Sequence, residues 1–215
     1  MEKLNNISEA LIACDSQKLL SLVKDAVQDG VPAETVLNDG LIRAMDIIGE
    51  KMGAGDIFIP EVLMAAKAMS VSVEYLKPML AEGSHNSRGT IVIGTVKGDL
   101  HDIGKNLVSM MLESAGFSVV DLGVDVPEEK FIAALTDGNA RLLCLSALLT
   151  TTMPMMKATL KALEVAGLKD RVKVMVGGAP VTRKFAEDIN ADGYADDAGG
   201  AVKLAKELMA SALAV

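Results

Sequence analysis

Apolar residues recur at helical spacing through the first third of the chain and gather into short unbroken runs through the rest. Leu4, Ile7, Leu11 and Ile12 mark the first helix. Leu19, Leu20, Val23 and Val27 mark a second, which Asp15 or Ser16 can cap and Gly30 ends. Pro32 suits the first turn of a third helix, with Val36, Leu37, Leu41, Met45 and Ile48 on its inner face. Gly53-Ala54-Gly55-Asp56 breaks that pattern. Pro60 then opens a fourth helix carrying Val62, Leu63, Ala66, Met69, Val73 and Leu76, with Pro78 near its end. Four amphipathic helices with short joints predict a small bundle.

From Thr90 onward the pattern alternates between strand and helix. The predicted strands are Thr90–Val96, Phe117–Leu122, Leu142–Ser146, Val172–Val176 and a weak one at Gly193-Tyr194-Ala195. The predicted helices are Ile103–Ala115, Pro127–Leu135, Met153–Ala166, Val181–Asn190 and Ala198–Leu213. Near-continuous apolar strands separated by helices imply a parallel sheet covered on both faces. Five such units predict an α/β domain: a flavodoxin-like (Rossmann-like), doubly wound, five-stranded sheet. Between the halves, Ala81 to Gly89 is polar and glycine-containing and reads as a linker, in which His85 reads as solvated. The expected organisation is a helical domain over 1–83, a linker over 84–89 and an α/β domain over 90–215.

Composition narrows the function classes. Half of the 215 residues are hydrophobic, and the formal net charge is -8. An acidic chain with 3% aromatics and no Trp offers little to a phosphate backbone or to stacked bases, so nucleic acid is a poor partner. Cys14 and Cys144 are far apart, without zinc-site spacing, and Cys144 lies in the apolar run Leu142-Leu143-Cys144-Leu145, where it reads as a buried hydrophobe. No run approaches the roughly 18 apolar residues of a membrane span, and no leader pattern opens the chain, so a cytoplasmic protein is expected. Met45, Met52, Met64, Met69 and Met79 are compatible with core filling or with an adaptable apolar surface.

Candidate chemistry collects where predicted strands end. Four loops do so: Gly98-Asp99-Leu100-His101-Asp102-Ile103-Gly104, Ser146 to Thr152, Gly177-Gly178-Ala179-Pro180 and Tyr194-Ala195-Asp196. In a doubly wound sheet they open on one edge, where ligands collect. A carboxylate two residues before a histidine can accept its Nδ1–H and leave Nε2 basic. His101 is the only histidine after Thr90, so a multi-histidine metal site is excluded there. One protein nitrogen suffices only for a metal whose other ligands arrive within a cofactor. Simpler accounts stand beside this one: a lone loop histidine is commonly solvated or structural, and a glycine pair commonly makes an ordinary turn. Walker A, G-x-S-x-G and H-E-x-x-H patterns are lacking. A response-regulator receiver would want a phosphoacceptor Asp where Ser146 stands.

Asp99-x-His101-x-x-Gly104, Ser146-x-Leu148 and Gly177-Gly178 together resemble the cobalamin-binding signature of base-off/His-on corrinoid proteins. Ile48-Gly49-Glu50-Lys51-Met52 leading to Asp56-Ile57-Phe58-Ile59-Pro60-Glu61-Val62 resembles the cap bundle of the methyltransferase branch, as in methionine synthase. The resemblance spans nearly the whole chain and is similar to the corrinoid proteins of multi-component anaerobic methyltransferase systems. It implies that His101 is the lower axial ligand of cobalt and that Asp99 orients it. Thr152 matches the third member of the family's relay, where serine is usual. Ser146 and Thr150 match residues near the buried benzimidazole, and Gly104, Gly177, Gly178 and Ala195 match the nucleotide-tail channel. Asp102, Ile103, Leu148 and Tyr194 complete the implied cofactor-binding set. Phe58, Leu63 and Met64 are the implied cap contacts, and the linker the implied hinge.

The implied function is that of a methyl carrier, not catalytic alone. A substrate-specific methyltransferase loads Co(I), and a second methyltransferase moves the methyl from methyl-Co(III) to coenzyme M or tetrahydrofolate. A reductive activator protein is the third implied partner. Two alternatives share the α/β half: the cobalamin-binding subunit of an adenosylcobalamin mutase, and a cobalamin-dependent sensor. The helical half with its Phe58-Ile59-Pro60-Glu61 turn favours the methyl branch, and the acidic charge argues against a DNA-binding sensor.

Overall fold

The structure, a computed structural model, describes residues 2–80 and 88–212. His85 and residues 84–87 of the predicted linker, with the hinge expected there, lie outside the described residues. The chain divides into two compact units, Met1–Asn86 with Ser114–Gly116, and Ser87–Glu113 with Phe117–Val215.

The helical unit contains α1 (Glu2–Ile12), α2 (Ser16–Gln28), α3 (Ala33–Thr35), a π-helical stretch Val36–Ile42, α4 (Arg43–Ala54) and α5 (Ile59–Leu76). Asp15 caps α2 by accepting the Lys18 N–H at 3.1 Å. The uniform third helix read from the sequence gives way to the π-helical turn. A π turn holds an extra residue, which re-aims the side chains that follow. Leu37 is therefore only half-buried, while Gly40, Ile42 and Ala44 join Val36, Leu41, Met45 and Ile48 inside. Glu61 accepts the Phe58 N–H at 2.8 Å and fixes the start of α5. Its buried stripe runs through Ala65, Ala68 and Ser72 as well as Val62, Ala66, Met69 and Leu76. Pro78 lies in a short 3-10 turn, Lys77–Met79, just after α5. Met45 and Met69 are core, Met52 and Leu63 are half-buried, and Phe58, Met64 and Met79 are exposed.

The second unit runs β1 (Thr90–Thr95), α6 (Ile103–Ser114), β2 (Ser118–Asp121), α7 (Glu128–Asp137), β3 (Ala140–Ser146), α8 (Met153–Val165), β4 (Lys173–Gly177), α9 (Arg183–Asp188), β5 (Gly193–Tyr194) and α10 (Ala198–Ala212). The strands form one sheet in the order β2-β1-β3-β4-β5, and the pairs are parallel. This is a flavodoxin-like doubly wound order. Its switch point lies between β1 and β3.

Alternate strand residues feed two layers. Val92, Leu143, Leu145, Val174 and Val176 join Phe131, Leu135, Met156, Leu160 and Leu163 in one core. On the opposite side of the pleat stand Ile91, Ile93, Leu142, Cys144 and Met175, all buried, and α10 packs against β3 and β4. Gly94 is required by this packing: a Cβ there would lie 2.7 Å from the Phe131 ring. Burial pushes the Cys144 thiol far above its ordinary pKa, as suits a core residue.

Candidate functional site at the carboxyl ends of β1 and β3

The loop after β1 brings Asp99 across the switch point. Its carboxylate is buried, and each oxygen faces a different partner. Oδ1 accepts the His101 backbone N–H at 3.1 Å and lies 2.7 Å from the His101 Nδ1. Oδ2 accepts the Leu148 N–H at 2.7 Å, the Leu149 N–H at 3.3 Å and the Thr152 hydroxyl at 2.7 Å. One carboxylate thus ties the β1–α6 loop to the β3–α8 loop.

This arrangement sets the protonation pattern. Burial by itself would raise the Asp99 pKa. The hydrogen bonds from Leu148 N–H, the Thr152 hydroxyl, and the ring and N–H of His101 outweigh it and hold the carboxyl well below the ordinary range. An ionised carboxylate only accepts, so the Nδ1 of neutral His101 carries the proton and Nε2 keeps its lone pair. The His101 side chain is 50% exposed, and among the described residues nothing hydrogen-bonds Nε2. Leu100, Leu148 and Leu149 are exposed in the same two loops, and Ile103 is exposed at the start of α6. An apolar surface of this kind beside one basic nitrogen suits a large, flat, partly apolar ligand.

The neighbouring strand ends leave little room for side chains at their glycines. Gly178 has φ +127°, and a Cβ on it would fall 1.9 Å from the Ala147 carbonyl oxygen. A Cβ on Gly177 would lie 3.0 Å from the Ala195 carbonyl oxygen. At Gly104, by contrast, a Cβ would meet nothing within 4 Å, so open space lies over the start of α6.

Asp99, His101, Leu148 and Thr152 are therefore in direct contact through one hub. The other residues singled out from sequence are not. Asp102 accepts from the Asn106 side chain at 3.1 Å. Ile103 is 85% exposed. Ser146 ends β3, where its carbonyl accepts the Val96 N–H at 3.0 Å. Thr150 is exposed and makes no hydrogen bond among the described residues. Tyr194 is half-buried beneath the Arg183 guanidinium, 5.7 Å from the ring centroid, and the Ala195 N–H donates to Val176 at 3.2 Å.

Sequence reasoning missed three participants. Thr95 is fully buried, and its hydroxyl donates to the His101 carbonyl at 2.9 Å. A hydroxyl at the end of an otherwise apolar strand was the signal. Asp125 accepts the Gly98 N–H at 2.6 Å, and nothing in its local sequence marks it. Lys105, buried, pairs with Asp121 at the end of β2 and donates to Asn106 at 2.6 Å, a pairing across elements that sequence spacing does not reveal.

Among the described residues no group of three His, Cys, Asp or Glu is arranged to hold a metal ion. A metal at His101 would need its remaining ligands from a cofactor. The free Nε2, the apolar rim and the open start of α6 fit a corrin-held cobalt.

Comparisons with known proteins point to B12 binding. Residues 89–203 match one B12 binding domain family, and residues 3–77 match a second B12 binding domain. The dimethylamine corrinoid protein of Methanosarcina barkeri is 45% identical over 97% of this chain and 98% of its own length. A cobalamin-binding protein from Desulfitobacterium hafniense DCB-2 is similar in structure, with a TM-score of 0.79 and 31% identity over 95% of this chain and 98% of that one. A chain of the methanol:cobalamin methyltransferase complex MtaBC from Methanosarcina barkeri gives a TM-score of 0.87 and 31% identity over 97% of this chain and 80% of that one. The chain belongs to the family of corrinoid proteins built from these two B12 binding domains.

Proposed function

We propose that this protein is a methyl carrier whose corrinoid binds base-off, with the Nε2 of His101 as the lower ligand of cobalt. The observation that carries the reading is His101 itself: half-exposed, with Nδ1 on a buried ionised Asp99 and Nε2 unengaged. When bound, the corrinoid supplies a cobalt centre able to accept a methyl group and to release it to another acceptor.

The chain's own residues do the rest. Asp99 keeps the Nδ1 proton in place and leaves the Nε2 lone pair for the metal. Thr152 and the Leu148 N–H hold that carboxylate ionised against its burial. Leu100, Ile103, Leu148 and Leu149 offer apolar surface to the macrocycle. Ser146 and Thr150 would lie near the benzimidazole, Gly104, Gly177, Gly178 and Ala195 would line the nucleotide-tail channel, and Tyr194 would complete the cofactor-binding set. Proton uptake by the Asp99–His101 pair competes with ligation at Nε2.

Similarity to dimethylamine corrinoid proteins favours a methylamine-specific methyltransferase as the loading partner, and the MtaBC match supports a methyltransferase as the type of partner. A second methyltransferase serving coenzyme M or tetrahydrofolate and a reductive activator protein would be the further partners of such a carrier. The test is transfer from the methylcobalamin-loaded chain to each acceptor, followed by absorbance. Demethylation only when a methyltransferase is added is the expected result. Turnover by the chain alone would make it an enzyme and contradict the carrier reading.

A further inference from the structure

The Asp99 carboxylate orients the imidazole, but the imidazole stands on a main chain that must itself be fixed. We propose that Thr95 and Asp125 are positioning residues that pin the backbone of residues 98–101 beneath the His101 ring. The inference rests on the reading of His101 as the cobalt ligand.

Three contacts carry it. The buried Thr95 hydroxyl donates to the His101 carbonyl at 2.9 Å. The Asp125 carboxylate accepts the Gly98 N–H at 2.6 Å, and the Asp125 N–H donates to the Asp99 carbonyl at 2.9 Å. None of them involves the imidazole, so they act through the main chain alone.

Thr95 is itself held. Thr95 ends β1, where its N–H donates to Gly123 and its carbonyl accepts the Val126 N–H, each at 3.0 Å. It also pairs with Ser146 of β3. Thr95 therefore sits in a frame made by the sheet on one side and the β2–α7 loop on the other. Gly98 and Asp125 both have left-handed backbones, φ +81° and +52°. For a residue with a Cβ such a φ is uncommon, and Asp is among the side chains that tolerate it. A metal ligand presented on a loop works only when its support holds it within about 0.5 Å.

Four variants separate the roles. Thr95→Val keeps the shape and removes the hydroxyl, and Thr95→Ser keeps the hydroxyl. Asp125→Gly keeps the left-handed backbone and removes the acceptor, and Asp125→Asn keeps both. Two readouts are taken: amide exchange at Gly98 in the cobalamin-free protein, and the fraction of cobalamin-loaded, Co(II)-state protein whose electron paramagnetic resonance shows histidine nitrogen splitting. Asp125→Gly should speed Gly98 exchange about tenfold, the size expected for losing a hydrogen bond to a charged acceptor. Thr95→Val and Asp125→Gly should each lower the histidine-bound fraction severalfold, and Thr95→Ser and Asp125→Asn should restore it. Unchanged fractions in Thr95→Val and Asp125→Gly beside a split parent spectrum would overturn the positioning roles alone. An unsplit parent spectrum would instead overturn the ligand reading, and unaltered Gly98 exchange would then still refute the Asp125 anchor.

Discussion

The Thr152 hydroxyl lies 2.7 Å from the Asp99 carboxylate and closes a bond between the loops after β1 and β3. The same hydroxyl is 2.9 Å from the Leu149 carbonyl. It has one proton to give, and an ionised carboxylate is the stronger acceptor. Thr152→Val keeps the shape and leaves Asp99 short of a donor. It should cost the cobalamin-free protein about 1–3 kcal/mol in urea denaturation, with Thr152→Ser close to the parent. A valine variant as stable as the parent would show that this bond carries no weight.

Asp99 also governs behaviour in acid. Its folded pKa is depressed by the hydrogen bonds it accepts. Its stabilisation is therefore complete above the unfolded value of about 3.9 and is lost as pH falls below it. Asp99→Asn should be less stable at neutral pH, because one of the two accepting oxygens becomes an NH2 that faces donors, either the N–H groups of Leu148 and Leu149 or the N–H of His101. Its stability should also fall less steeply below about pH 4, since it has no carboxylate to protonate. Denaturant midpoints across pH measure both effects, and parallel curves for the two proteins would refute the assignment.

Two glycines at the same edge should separate folding from binding. Gly178→Ala places a methyl group 1.9 Å from a carbonyl oxygen on a backbone at φ +127°. It should lower the melting temperature of the cobalamin-free protein clearly, since such backbone strain alone costs about 1–3 kcal/mol. Gly104→Ala meets nothing within 4 Å and lies in α6. It should leave the cobalamin-free fold intact or firmer by roughly 0.5–1 kcal/mol, and weaken cobalamin binding in titration. Unimpaired binding by Gly104→Ala would mean that the space over α6 is not part of the cofactor site.

The sheet was legible because each strand is a short apolar run ended by polar or glycine-rich residues. Once Thr90, Phe117, Leu142, Val172 and Gly193 are read as strand starts, the parallel order places four loops on one edge. The Asp99–His101 pair was legible because both residues lie on one short loop. The Thr152 contact needed a family resemblance, because its 53-residue separation from Asp99 has no local signature. Asp125 escaped because it bonds main-chain atoms, which leave no pattern in sequence, and Thr95 was marked only by being a hydroxyl at the end of an apolar strand. The π-helical turn escaped for a similar reason. Val36, Leu41, Met45 and Ile48 fit a regular helix as well, so the apolar spacing does not mark the extra residue.

Isotope labelling of histidine nitrogen shows whether His101 ligates the cobalt from below, as proposed. The chain has two histidines, His85 and His101. Protein grown with nitrogen-15 histidine, loaded with cobalamin and brought to the Co(II) state, should show nitrogen splitting in its electron paramagnetic resonance that changes from triplet to doublet with the label. His101→Ala should abolish that splitting, and His85→Ala should leave it untouched. A triplet that persists in labelled protein would place the cofactor's own benzimidazole on the cobalt and rule out His101 as the ligand.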